Sequence, residues 1–246
     1  EAVLCLNADC SLTASLANDL PIRAVFFGID KGAAPSRPKT ELSDASHCIY
    51  CKSEYEYDFI SYGHLGNFRC PHCGYHRPKA EYAVTNVVEQ RANGSSVVLM
   101  VNGRQYLAEV NLPAMYNIYT AIGAVAAATE MGLGAEAAIS AIADFKCGFG
   151  SMEQFDLGKA GTKMMLVKNP AGCNQVLNFL TQRTEPFVFA ACLNDRAQDG
   201  KDVSWIWDVD FERLTAMEKA LSDIYVSGVR ADDMALRFLY AGFPKE

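Results

Sequence analysis

Two cysteine pairs constrain this chain more than any other feature. Cys48-Ile-Tyr-Cys51 is followed, after eighteen residues, by Cys70-Pro-His-Cys73-Gly74. Two C-x-x-C pairs at that separation offer four thiolates from two tight knuckles, the ligand set of a tetrahedral metal site. Pro71 and Gly74 suit a knuckle whose backbone N–H groups turn toward the sulfurs. Four thiolates leave no open position for chemistry, so the expected occupant is a structural zinc held by Cys48, Cys51, Cys70 and Cys73. All four histidines (His47, His64, His72 and His76) lie in or beside this segment. With the tetrahedron already complete, they are expected to cover its surface.

Iron is the second choice of metal, because Cys70-Pro-His-Cys73-Gly74-Tyr75 also resembles a rubredoxin knuckle. In either case the metal holds an insert, residues 44–80, that is too loop-rich to bury much apolar surface by itself. The nine cysteines, an odd number with four in metal spacing, fit a reducing cytosol. Cys5, Cys10, Cys147, Cys173 and Cys192 sit among apolar neighbours and are expected as small core residues. A net charge of −7 argues against a nucleic-acid surface. No run of eighteen apolar residues predicts a transmembrane helix, and no signal-peptide pattern is visible. The opening strand pattern and the close just after a helix read as cuts through a longer protein.

In chain order, Ala2–Leu6 and Arg23–Ile29 are short apolar runs, as in parallel strands buried on both faces. Ser11–Asn18 between them is helical, and the Lys- and Pro-rich stretch Asp30–Ser46 reads as a linker into the metal insert. After it come strands at Tyr82–Val88, Val97–Val101 and Arg104–Val110, the last two joined by the hairpin pair Asn102-Gly103. Helices are predicted at Pro113–Met131, rich in alanine and suited to close packing, and at Ala135–Phe145. Lys146–Ser151 is the expected break between a domain over 1–147 and a smaller one over 148–246. The second domain alternates: strand Lys163–Val167, helix Asn174–Gln182, strand Pro186–Leu193, helix Phe211–Leu221, strand Asp223–Val229, helix Asp232–Ala241. That order predicts a doubly wound parallel α/β sheet with ligands at the carboxyl ends of its strands.

Polar segments follow two of those strands. Lys168-Asn-Pro-Ala-Gly172 is a strand-to-helix turn whose amides suit an anion as well as they suit a plain turn. The loop from Asn194 to Asp210 carries Asp195, Asp199, Asp202, Asp208 and Asp210 beside Trp205 and Trp207, the chain's two tryptophans. No Ser/His/Asp or Cys/His set closes within the chain, since every histidine lies by the metal insert. A carboxylate of this loop that works on a histidine must therefore find it on a partner.

Several segments together resemble a known family. Leu6-Asn-Ala-Asp9, Tyr116-Asn117-Ile-Tyr119-Thr120-Ala121 and Gly148-Phe-Gly-Ser-Met-Glu153 look like the latter part of a Mur ligase central domain. The cysteine ribbon with Gly63-His-Leu-Gly66, Lys168–Gly172, Asp199-Gly-Lys-Asp-Val-Ser-Trp-Ile-Trp-Asp208 and Gly228-Val-Arg-Ala-Asp-Asp-Met-Ala-Leu236 resemble, more narrowly, the MurT family. These are the ligase-like subunits of the lipid II isoglutaminyl synthases of Gram-positive bacteria.

The resemblance implies an ATP- and magnesium-dependent ligase subunit that works with a GatD-type glutamine amidotransferase. The pair amidates the α-carboxyl of D-glutamate in the lipid II stem peptide, in the cytoplasm at the inner face of the membrane. It implies an adenine contact at Asn117 and an Asp lent to the partner's histidine, with Asp195 the first choice and Asp202 the second. Cys10, Thr120 and Ser151 depart from the pattern, which has Asp, Asn and Arg there. The phosphate loop would precede Glu1, so the chain alone is expected to be inactive. Two other classes stay open: a nucleic-acid-binding zinc ribbon and a rubredoxin-like iron protein.

Overall fold

The computed structural model describes residues 2–34, 45–91, 93–112, 114–145, 153–157, 160–181, 183, 185–217 and 220–244. They form two compact units, Glu1–Cys147 and Gly148–Glu246. The expected break at Lys146–Ser151 lies outside the described residues.

The first unit is built on a five-stranded mixed sheet. β1 (Val3–Asn7), β2 (Arg23–Ile29) and β5 (Tyr82–Arg91) run parallel, and β5, β6 (Gly94–Val101) and β7 (Arg104–Val110) continue as an antiparallel meander in the order β1-β2-β5-β6-β7. Asn102 and Gly103 both take positive φ at the β6–β7 turn, the backbone an Asn-Gly hairpin needs. Helix α1 (Ser11–Asp19) joins β1 to β2, while α2 (Met115–Glu130) packs on β1, β2 and β5 and α3 (Ala135–Asp144) on β7. Ile118, Ile122, Val125 and Ala126 of α2 are buried against Val84, Leu99 and Val101 of the sheet. At Gly123 a Cβ would stand 3.1 Å from the Phe27 ring, so this glycine lets helix and sheet approach closely.

Between β2 and β5 the chain makes a ribbon: a knuckle at Cys48–Lys52, the hairpin β3 (Glu56–Tyr62) and β4 (Leu65–Arg69), then a second knuckle at Cys70–Gly74. Its small core is aromatic. Phe68 packs on Tyr55 (ring centroids 5.2 Å apart) and Tyr75 (5.3 Å), and this cluster meets Ala14 of α1 and Phe26 of β2. The ribbon thus docks on the sheet domain rather than standing apart from it.

One polar network ties these pieces together. Asp9, just after β1, is fully buried and accepts hydrogen bonds from the Ile29 amide (2.8 Å), the Tyr119 hydroxyl of α2 (2.5 Å) and Arg77 Nε below the ribbon (2.5 Å). Arg77 also donates to the Ile29 carbonyl (3.2 Å), and the Tyr119 hydroxyl meets Ser61 of β3. A Cβ at Gly28 would fall 2.5 Å from Asp9 Oδ1 and 2.8 Å from Arg77 Nη2, so only glycine leaves room for the ion pair. Burial pushes the Asp9 carboxyl above its ordinary value, against the pull of Arg77, Tyr119 and the Ile29 amide.

The second unit differs from the expected doubly wound sheet in two respects. Lys163–Val167 is not a strand of a parallel sheet: β9 (Ala160–Met164) turns back on β8 (Glu153–Leu157) as an antiparallel hairpin. The parallel sheet, among the described residues, is the pair β10 (Phe187–Cys192) and β11 (Leu221–Ser227). The helix expected over Phe211–Leu221 is likewise not an α-helix in its described residues. Residues Ser204–Asp208 and Phe211–Met217 form two 3₁₀ stretches, and Leu221 already belongs to β11. Helices α4 (Pro170–Leu180) and α5 (Ala231–Tyr240) pack with them around Leu177, Ile206, Leu214 and Phe238. Of the cysteines expected in the core, Cys173 is buried, Cys5 and Cys10 are half-buried, Cys192 is exposed, and Cys147 lies outside the described residues.

Replacing Arg77 by Met should strand the Asp9 carboxylate in the core and cost about 3–5 kcal/mol. The stranded Asp9 would stay protonated in the folded state, because without Arg77 its folded pKa, already raised by burial, would rise further above the unfolded value of about 3.9. The deficit should then shrink on acidification toward about pH 4 and grow as pH rises. Urea midpoints across that range test this, and a pH-independent loss under about 1 kcal/mol would refute it.

Candidate functional site

The four cysteines of the two knuckles come together. Their sulfurs all lie within 4.8 Å of one another, with Cys48–Cys73 at 3.5 Å and Cys51–Cys70 at 3.4 Å. A zinc–sulfur bond of about 2.3 Å puts the corners of a regular tetrahedron about 3.8 Å apart, so the cage has the size for one such ion. Each knuckle closes on a backbone bond, Lys52 N to Cys48 O (2.9 Å) and Gly74 N to Cys70 O (3.1 Å). Lys52 and Gly74 take φ of 64° and 79°, a strain at Lys52 that the knuckle imposes.

Charge in the cage is uneven. The Ser53 hydroxyl and amide bring the Cys51 thiol down to about 5. Against the pull of the Tyr75 amide, desolvation and the sulfurs of Cys70, Cys48 and Cys51 push Cys73 up to about 12. Four thiolates this close repel unless a cation lies between them. Among the described residues, this is the one group of His, Cys, Asp or Glu side chains arranged to hold a metal.

His47, His72 and His76 are exposed, while His64 is half-buried against Cys10 at 3.6 Å. The ribbon's basic residues are largely engaged within it. Arg69 pairs with Glu56 (3.1 Å), Lys52 Nζ donates to the Ile49 carbonyl (3.0 Å), and Arg77 points inward to Asp9.

The second locus is the loop after β10. Asn194 and Asp195 are clamped by the β11–α5 turn. Val229 N donates to Asn194 Oδ1 (3.0 Å), Arg230 N to the Leu193 carbonyl (3.0 Å), and Arg230 Nη1 to Asp195 Oδ2 (3.1 Å). Gly228 makes the turn possible: its φ is 99°, and a Cβ there would lie 2.2 Å from the Leu193 carbonyl oxygen. Asp195 therefore already faces a guanidinium, which Asp233 shares at 2.6 Å.

Asp202 is exposed. Its Oδ1 accepts from Ser204 N (2.8 Å), starting the first 3₁₀ stretch, and the Ser204 hydroxyl and amide hold its carboxyl below the usual range. Asp199 and Asp208 face solvent, the backbone amide of Asp210 donates to Asn174 Oδ1 (2.9 Å), and among the described residues these carboxylates form no cluster arranged to hold a metal. Asn169 caps α4 by accepting from Gly172 N (2.7 Å), and Lys168 Nζ reaches the Gln198 carbonyl (3.4 Å), linking the two polar segments.

Arg237 was not singled out by its sequence context, yet it organises the loop. It is buried on α5, donates to the carbonyls of Ile206 (3.1 Å) and Val209 (2.6 Å), and pairs with Glu212 (2.8 Å). Trp207 lies over it and against Tyr240. In the first unit, Asn117 is buried near the start of α2, its amide 3.2 Å from the Ala114 carbonyl.

The α/β fold resembles that of Mur ligase domains. The chain superposes on a pseudomurein peptide ligase type C from Methanothermus fervidus with a TM-score of 0.66 at 22% identity, over 94% of this chain and 46% of that one. On MurF from Acinetobacter baumannii the TM-score is 0.56 at 11% identity, over 99% of this chain and 46% of that one.

The sequence match is narrower. Residues 166–246 match the family model described as MurT ligase C-terminal. The chain is 32% identical over 245 residues to subunit MurT of the lipid II isoglutaminyl synthase (glutamine-hydrolyzing) of Streptococcus pneumoniae (strain ATCC BAA-255 / R6), covering 100% of this chain and 53% of that protein. Against the MurT subunit of Staphylococcus aureus (strain COL) it is 30% identical over 240 residues, covering 97% of this chain and 52% of that protein. The chain thus spans about half the length of these relatives.

Arg237→Leu should take the side-chain donors from the Ile206 and Val209 carbonyls, which keep only their backbone donors Val209 N and Phe211 N, and leave Glu212 without its partner, at a cost of roughly 1–3 kcal/mol. Trp207 loses its platform, so the tryptophan emission should shift to the red before global unfolding. An unshifted spectrum at full stability would contradict this role for Arg237.

Proposed function

We propose that this chain is the latter part of a MurT-type ligase subunit that, with a GatD-type glutaminase, amidates lipid II in peptidoglycan synthesis. The observation that carries the reading is the match along the whole chain to MurT subunits. The ribbon and the Asp199–Asp208 loop lie inside that match. The target is the α-carboxyl of D-glutamate in the stem peptide. A carboxylate is a poor electrophile until its oxygen is phosphorylated, and ATP with magnesium supplies that phosphoryl group. Ammonia from glutamine must then arrive unprotonated by a route shielded from water. Asn117 on α2 is the residue we assign to the adenine. The substrate of that reaction is lipid-linked, and the likeness to MurT subunits supports work at the cytoplasmic face of the membrane.

The carboxylate lent to the glutaminase's histidine should be ionised, fixed and open to a partner. Asp195 is fixed but already engaged by Arg230. Asp202 is exposed, with Oδ1 tied to Ser204 N. This geometry reverses the order taken from sequence and favours Asp202. In the full-length subunit with its partner, Asp202→Asn should lower glutamine hydrolysis ~10³–10⁴-fold while the complex still forms. Asp195→Asn should instead loosen the Arg230 turn and weaken assembly and activity together. Full hydrolysis in the Asp202 variant would exclude that residue.

We also propose that Cys48, Cys51, Cys70 and Cys73 hold one structural zinc. The support is the size of the cage and its four-sulfur donor set, which leaves no position for substrate. Protein purified without chelator should carry one zinc per chain, and Cys70→Ser should lose it. The midpoint of thermal unfolding should then fall on the order of 10 °C, because a lost metal site costs several kcal/mol and each is worth about 2–4 °C in a unit this size. Iron in the purified protein, with its colour, would replace zinc in this account. A variant with full stability and no metal would end it.

A further inference from the structure

Outside the cysteine cage and the acidic loop, a second pair of reactive side chains meets across the fold. Cys10 is the N-cap residue of α1, and its Sγ lies 3.6 Å from Nε2 of His64 in the β3–β4 turn, 54 residues away in sequence. The turn is held there by two contacts of its own: Gly66 N donates to the Asp9 carbonyl (3.0 Å) and the Tyr57 hydroxyl to the His64 carbonyl (3.1 Å). Cys10 therefore has an imidazole on one side and the first turn of a nine-residue helix on the other. These are the two settings that activate a thiol: an adjacent base and the positive end of a helix.

We propose that Cys10 and His64 form a thiolate–imidazole pair that is a site of reversible mixed-disulfide formation with low-molecular-weight disulfides. The Cys10 thiolate attacks one sulfur of a disulfide R–S–S–R. A Cys10–S–S–R bond forms, the original S–S bond breaks, and RS⁻ departs with the proton that His64 had taken from the thiol. Cys10 is oxidised, half of the reagent is reduced to a thiol, and a free thiol reverses the step.

Electrostatics agree with the geometry. Burial pushes the Cys10 thiol up, but His64 and the Thr13 hydroxyl and amide together outweigh it and bring it down to about 7. The other titratable groups nearby are Tyr57 of β3 and Tyr75 of the ribbon, both pushed upward by burial and so neutral at this pH. Asp9, the preceding residue, has its charge matched by Arg77. At pH 7 about half of a thiol with that pKa is ionised, against a few per cent of an ordinary one near 8.5. Its lower basicity returns part of the gain, leaving a net rate advantage of roughly three- to five-fold. The position of the pH midpoint is therefore the sharper signature.

The half-buried sulfur has little room beside it. An adduct must displace the His64 ring from its 3.6 Å contact and so press on the turn that joins the ribbon to Asp9.

The test treats the whole chain with glutathione disulfide across a pH series and follows each cysteine by peptide mass spectrometry. Cys192, which is exposed, serves as the internal reference. Cys10 should acquire glutathione ahead of Cys192, with a midpoint near 7, and dithiothreitol should remove it. His64→Gln should slow the reaction at pH 7 about three- to five-fold and move the midpoint up toward about 8.5. Thr13→Val should do the same to a smaller degree, which guards against a folding defect in the His64 variant. Cys10→Ser should abolish the first adduct. Modification of Cys192 ahead of Cys10, or a midpoint that neither His64→Gln nor Thr13→Val moves, overturns the proposal.

Discussion

The first unit depends on a carboxylate that has no access to water. Asp9 sits where β1 ends, and everything that must be placed relative to β1 sends it a donor: β2 through the Ile29 amide, α2 through Tyr119, the ribbon's trailing edge through Arg77. A buried ion pair of this kind adds little to net stability compared with apolar packing, because both charges lose their hydration. What it supplies is intolerance of error. If any one of the three elements is displaced, the buried carboxylate loses a donor, and loss of the Arg77 edge leaves it without its counter-charge. Gly28 shows how tightly this is drawn, since the pair occupies the space in which its side chain would stand.

Much of the sheet was readable because its signals are local. Strands β1, β2, β6 and β7 announce themselves as apolar or alternating runs, and Asn102-Gly103 marks their hairpin. The alanine-rich α2 is recognisable by composition alone. The second unit was less readable where local preference and partner disagree. Lys163–Met164 has strand character, but it takes Glu153–Gln154 as an antiparallel neighbour, and no periodicity tells parallel from antiparallel pairing. Residues Phe211–Met217 follow a helical spacing of apolar side chains, yet they tighten to 3₁₀. This puts Phe211, Leu214 and Met217 on one buried face, the i, i+3 stacking of that helix.

The candidate sites divide the same way. Two C-x-x-C pairs give themselves away by spacing, since each knuckle is a closed local structure. Arg77, Arg230 and Arg237 do not, because each acts on a residue between 25 and 68 positions away by chain and nothing beside it marks the role. The acidic loop looked like one cluster in sequence. In the fold its carboxylates go separate ways, Asp195 to Arg230 and Asp202 to the Ser204 amide, because caps and ion pairs offer each a lower energy than crowding like charges together.

The place of the ribbon in the topology follows from these contacts. β2 and β5 are parallel neighbours, and a parallel pair needs a crossover of a dozen or more residues, which is ordinarily a helix covering the sheet. Here the ribbon lies within that crossover. Its aromatic core rests on Phe26 and Ala14 as a helix's apolar face would, and Arg77 returns the chain to β5 through the Asp9 pair. The β2–β5 ladder is short, with Phe27, Gly28 and Ile29 opposite Tyr82, Ala83 and Val84, whereas β5, β6 and β7 zip over most of their length. The parallel half of the sheet therefore relies on the ribbon in a way the antiparallel half does not. A metal holding the two knuckles together would act, through Arg77 and Tyr119, on the register of β2 against β5 and on the seating of α2, the helix that carries Asn117.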